Sequence, residues 1–178
     1  MPYITHSELA ERPGARELAQ VASPENRPVV DTELMDATLR GMDRSAWSPE
    51  AIVDADAALR RIDDAVAEAD ATIDGYLAKR GYAVPMELTA ESARKLIAGW
   101  SRAIARYLLQ KDSISDEKTS AIARDYRDAQ RLLQATADGK FSLGADDPQA
   151  GGSTGANTDV RFSFPDPVFS RRQLGAFR

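Results

Sequence analysis

The chain contains no cysteine, which excludes disulfides and thiolate metal sites. It has a single histidine, His6, so a Ser-His-Asp triad would have to be built on an end that tends to fray. With Ser7 and Glu8 beside it, His6 suits a capping or surface role. No stretch approaches the ~20 consecutive apolar residues of a membrane-spanning helix. The opening Met1-Pro2-Tyr3-Ile4-Thr5-His6-Ser7-Glu8 lacks both the basic start and the apolar run of a secretory signal, so the chain is expected to stay in the cytoplasm where it is made. Excess positive charge is missing too. The net charge of −5 argues against holding nucleic acid by bulk attraction, which needs clustered Lys and Arg. Gly151-Gly152-Ser153-Thr154-Gly155 is followed by no lysine and opens no helix, so it is a linker and not a phosphate loop.

What remains is a 178-residue chain, 43% hydrophobic and 29% charged, in the size range of one soluble domain with appendages. A short helix is expected over 5–12, broken at Pro13-Gly14 and followed by a further turn or two carrying Leu18 and Val21. Residues 23–48 read as an insertion or extended connection. Within them Asp31-Thr32 is a plausible cap for a helix through Leu34, Met35, Thr38 and Leu39, stopped by Gly41.

The clearest element opens at Ser48-Pro49, a cap residue followed by proline at the first helical position, and runs to Arg80 with Gly81 as its stop. Ile52, Ala55, Leu59, Ile62, Val66, Ala69, Ile73 and Tyr76 recur in steps of three and four, a heptad seam on a rod on the order of 45 Å long. A second amphipathic helix restarts near Thr89 through Leu96, Ile97, Trp100, Ile104 and Tyr107, with both aromatics in the apolar stripe and Arg94, Lys95, Arg102 and Arg106 as a solvated or ion-paired flank. A third is expected to begin at Ser113 to Ser115, to carry Ile122, Tyr126, Ala129, Leu133 and Thr136 on one face, and to end at Gly139. The fold class is therefore all-α: an antiparallel bundle of three long helices plus short N-terminal helices, over residues 1–144. Residues 145–159 have almost nothing to bury and read as a flexible linker. Residues 160–178 read as an extended C-terminal docking arm with Phe162, Phe164, Phe169, Leu174 and Phe177 as apolar anchors and Arg171 and Arg172 as partners for acids.

The charge pattern divides body from arm. From Pro49 to Asp74 eight acids stand against Arg60 and Arg61, a net of −6, while residues 160–178 carry four arginines against Asp166, a net of +3. Opposite signs suit subunit-to-subunit docking. Asp63, Asp64, Glu68, Asp70 and Asp74 form the candidate acidic face. Asp70 and Asp74, one turn apart, could hold a divalent cation as a hydrolase would, but bundle metal sites usually add histidine from a facing helix, and none exists here. The residues assign no catalytic group, metal or cofactor. A cytoplasmic helical regulator that binds a partner through its tail is the other alternative.

Several segments in order resemble one family. Asp70-Ala71-Thr72-Ile73-Asp74-Gly75-Tyr76-Leu77-Ala78-Lys79-Arg80 with Tyr82 and Val84-Pro85-Met86 is similar to the central signature of the Mu-like bacteriophage head-tail connector family. Ile104-Ala105-Arg106-Tyr107-Leu108 resembles its second signature, and Asp125-Tyr126-Arg127-Asp128-Ala129 with Leu132-Leu133 and the closing Gly139-Lys140-Phe141-Ser142-Leu143-Gly144 its third. Met1, Tyr3, Leu9 and Leu18 fit its opening, and Phe169-Ser170-Arg171 through Leu174-Gly175-Ala176-Phe177 its ending. The likeness departs between Ser23 and Asp54, where this chain is longer. The resemblance implies a non-enzymatic adaptor or head-completion protein of the virion neck, made in the host bacterial cytoplasm. It implies a ring of twelve copies under the portal protein that presents a surface to a tail or stopper protein. DNA would pass through without sequence-specific contact and no membrane is involved. The acidic face would then line the channel, where it repels phosphate, or a contact between subunits.

Overall fold

A computed structural model describes residues 2–86 and 90–143, all of which belong to the first of the two units into which the chain divides, Met1–Pro148. The linker over 145–159 and the arm over 160–178 lie outside the described residues. The described residues are helical, with no strand among them. Three short helices, α1 (His6–Leu9), α2 (Ala15–Ala22) and α3 (Thr32–Arg40), precede three long ones, α4 (Pro49–Arg80), α5 (Glu91–Gln110) and α6 (Ala121–Ala137).

The caps explain the boundaries. Thr5 and Glu8 exchange hydrogen bonds as a capping box at the start of α1, Asp31 accepts from the Glu33 and Leu34 amides at 2.9 and 3.1 Å, and Ser48 accepts from the Ala51 amide. Gly41 and Gly81 end α3 and α4 at φ of 64° and 98°, a left-handed turn that glycine takes without the Cβ penalty. Between α1 and α2 the chain leaves helical geometry at Arg12 (φ −153°, ψ 117°), so the expected break falls where Pro13 and Gly14 stand.

The third long helix starts later than its apolar spacing predicts, at Ala121 under a Ser120 cap. Local side-chain bonds win over the seven preceding residues. The Ser113 hydroxyl donates back to the Gln110 carbonyl at 2.8 Å, and Asp116 accepts from the Lys118 amide and the Thr119 hydroxyl, both at 2.9 Å. These bonds offer the backbone an alternative to the helix.

α5 packs against both α4 and α6, and the pairings fix the directions. Tyr107 stacks on Tyr126 while Trp100 meets Phe141 just beyond α6, and Tyr76 meets Gln130 while Lys79 pairs with Asp138. Thus α4 and α5 run antiparallel, as do α5 and α6, while α4 and α6 run the same way. Of the heptad seam, Ala55, Ile62, Val66, Ala69 and Ile73 are buried and Ile52, Leu59 and Tyr76 are half-buried against the same core. Ala58 and Ala65 are buried as well, because α2 and α3 also cover α4 and widen its apolar stripe beyond a two-helix seam, and Leu77 is buried nearer the C-terminal end of the helix.

Residues 23–48 are built into this core. Leu34 and Met35 are 1% and 0% exposed, and the Arg27–Asp54 and Arg44–Asp56 pairs tie the segment to α4. Trp100 is buried as expected, with Phe141 tilted against it at 6.3 Å. Tyr107 is only half-buried. Its ring lies on that of Tyr126 with centroids 4.1 Å apart, and its hydroxyl donates to Glu117 at the rim.

Candidate functional site: the acidic long helix

A helix turns ~100° per residue, so Asp63, Asp70 and Asp74 fall on one side of α4 while Asp64 and Glu68 fall on another. The five acids accordingly do different things. Asp70 accepts a hydrogen bond from the Tyr3 amide on Oδ2 at 3.0 Å and from the fully buried Ser101 hydroxyl on Oδ1 at 2.8 Å. Asp74 accepts from the Tyr3 hydroxyl, which in turn accepts from the Met86 amide at 2.9 Å. Tyr3 thus straps the N-terminal segment across α4 and holds the chain that follows α4 at the same point. His6 Nε2 lies 2.6 Å from Asp63 Oδ1, at a solvent-exposed position where such a pair adds about 0–1 kcal/mol.

The strap shifts the groups it uses. Burial pushes the Asp70 carboxyl up from its ordinary range, the hydrogen bonds from Ser101 and Tyr3 work against that rise, and the neighbouring Asp74 charge adds to it. Burial also raises the Tyr3 phenol, reinforced by the Asp74 acceptor and opposed by the Met86 amide, so the phenol remains a donor at all physiological pH. A cleft of about 680 Å³ opens beside the strap, lined by Ile4, His6, Asp63, Val66, Asp70 and Asp74 among others. The oxygens of Asp70 that a cation would need already accept from Tyr3 and Ser101.

Asp64 and Glu68 are exposed and carry no ion pair among the described residues. They share this with Glu50 and differ from Asp54 and Asp56 on the same helix, which pair with Arg27 and Arg44. On α5 the basic flank is mostly paired, Arg94 with Glu8, Lys95 with Glu91 and Arg106 with Glu17. Arg102 is the exception: its Nε is shut off from solvent without a hydrogen-bond partner. The arm residues Phe162, Phe164, Phe169, Arg171, Arg172, Leu174 and Phe177 lie outside the described residues. Tyr3 and Ser101 had no mark in the sequence as partners of Asp70. Their contacts span 67 and 31 residues, and only the apolar character around Tyr3 hinted at burial.

Fold and site together define a small all-α protein in which two half-buried acids of the longest helix hold the N-terminal segment and, among the described residues, its outward Asp64 and Glu68 stand unpaired. Residues 3–162 match the family described as Bacteriophage Mu, Gp36, and the chain belongs to that family. It is 33% identical over 118 residues to gene product J of Escherichia phage Mu, an alignment that covers 64% of this chain and 77% of that protein. The resemblance to a Mu-like bacteriophage family read from the sequence is therefore correct. Among the described residues no helix is long and apolar enough to cross a membrane.

Proposed function

We propose that this chain is a head-to-tail connector subunit, an adaptor or head-completion protein of the virion neck that assembles without catalysing a reaction. It stands in a ring of twelve copies, with the portal protein on one side and a tail or stopper protein on the other, and DNA passes through without being read. The observation that carries the reading is the division of acids on α4. The inward ones close the body on itself, while Asp64 and Glu68 face out, unpaired among the described residues, on a helix about 48 Å long, a surface for the channel or for a neighbouring subunit.

The arm over 160–178 supplies the second contact. Its net charge of +3 and its phenylalanines suit an acidic, partly apolar groove on a neighbour or on the portal. Removing residues 160–178 should leave a folded helical protein, with an unchanged far-ultraviolet circular dichroism spectrum, that no longer attaches to portal-bearing heads. Heads completed normally by the truncated chain would refute the role of the arm.

A further inference from the structure

A second cleft, of about 460 Å³, opens between the kink ahead of α2 and the helices α5 and α6, with Pro13, Ala103 and Ile122 among its walls. Its lining sets Arg12, Arg102 and Arg106 against Glu17 and Asp125, one positive charge in excess. Arg106 and Glu17 are joined at 2.7 Å, and Gln110 also donates to Glu17 at 2.6 Å, so that carboxylate is occupied. Arg102 faces Arg12, a like charge, and Glu8, which already bonds Thr5 and Arg94. Arg12 itself is exposed and makes no ion pair or hydrogen bond among the described residues. Its place is set by the backbone. Gly14 holds φ at +109°, a conformation that side-chain-bearing residues rarely adopt, and this fixes the kink that projects Arg12 at the mouth of the cleft.

We infer that this cleft is the seat for the acidic face of a second copy of the chain, with Asp64 and Glu68 on α4 of one copy entering between Arg12 and Arg102 of the next. Both halves of the contact are on the same molecule, and among the described residues neither forms an ion pair. Asp64 and Glu68 stand one turn apart, where like charges repel, and among the described residues no cation pairs with them. Arg12 and Arg102 repel in the same way, and a guanidinium fork is matched to a carboxylate. The two patches lie on different elements and share no residue: met reciprocally they make a two-fold dimer, and met once per subunit a head-to-tail contact. Repeated contacts of that kind close into a ring when the rotation allows and otherwise run on as a filament. Only the closure rests on the ring proposed above. The pairing of the two patches does not.

The test uses the full-length chain and charge reversal. At roughly 50 mM salt, where exposed charges are weakly screened, wild type should self-associate in sedimentation velocity and mass photometry, and at roughly 500 mM it should weaken. Arg12→Glu with Arg102→Glu, or Asp64→Arg with Glu68→Arg, should each weaken association on the order of 100-fold. Mixing the two variants should restore it, because each native patch then meets a native one and each reversed patch a reversed one. Arg12→Glu alone, at an exposed position, gives the same direction of effect should the double change unfold the chain. Self-association that neither reversal weakens overturns this contact and leaves the ring intact. A wild type that stays monomeric at every concentration overturns it too, as does a thermal shift with inorganic phosphate unaccompanied by self-association, which would put a free anion in the cleft.

Discussion

Replacing Tyr3 by Phe deletes one oxygen and keeps the buried ring, so it isolates the strap from the packing. Tyr3 is 8% exposed, and its hydroxyl donates to Asp74 and accepts from the Met86 amide at 2.9 Å. A hydrogen bond to a charged group is worth about 1.5–3 kcal/mol, and an amide left without a partner costs about 1 kcal/mol more where it is sealed from water. Asp74 and Met86 are both only half-buried, so water relieves part of each loss, and a net cost of about 2 kcal/mol is expected. For a domain of this size that corresponds to a fall in Tm of about 4–8 °C. Calorimetry of wild type, Tyr3→Phe, Asp74→Ala and the double variant closes a cycle whose coupling should be about 1–2 kcal/mol. A Tyr3→Phe chain as stable as wild type, or strictly additive single changes, would show that the hydroxyl contributes nothing and that the N-terminal segment is held by the Tyr3 amide bond to Asp70 and by the burial of Ile4 and Leu9.

Asp70 gives a pH-dependent prediction. Its folded-state pKa is raised, so the protonated acid favours the folded state; that contribution is full below the unfolded carboxyl range and is lost as pH rises through the folded value. Asp70→Asn, a permanently neutral side chain that keeps an acceptor for Tyr3, should therefore match or exceed wild type at neutral pH, and the difference should vanish in acid; urea unfolding at several pH values measures it. Met35→Ala empties a site that is 0% exposed and should destabilise by about 2–5 kcal/mol, with an unchanged urea m-value. A loss under about 0.5 kcal/mol would mean that 23–48 is a loose insertion and not part of the core.

Long-period patterning carried the fold. Ser48-Pro49 and Gly81 bracket α4 where they were expected, because caps and breakers act on their own neighbours and need no tertiary information. The start of α6 was misplaced for the same reason in reverse: Ser113 and Asp116 also act locally, and their bonds hold the backbone out of helix until Ser120. The candidate site was legible only in part. Five acids crowding one helix are visible in the sequence, and the ~100° between Asp63 and Asp64 separates their roles. That rotation sends Asp70 and Asp74 to Tyr3 and leaves Asp64 and Glu68 outside. No periodicity reports a contact between residue 3 and residue 70. Arg12 was hidden likewise, since only the fold brings the kink after α1 alongside Arg102.

The central claim, that the chain is a subunit of the connector between head and tail, is tested most directly by electron cryomicroscopy of the neck of the intact particle with this chain located in the density. The account predicts a closed ring of twelve copies between portal and tail, with the α4 helix of each copy traceable and its Asp64 and Glu68 side turned to the next copy. Density that places the chain in the capsid shell or the tail tube, or no copy of it in the particle, would contradict it.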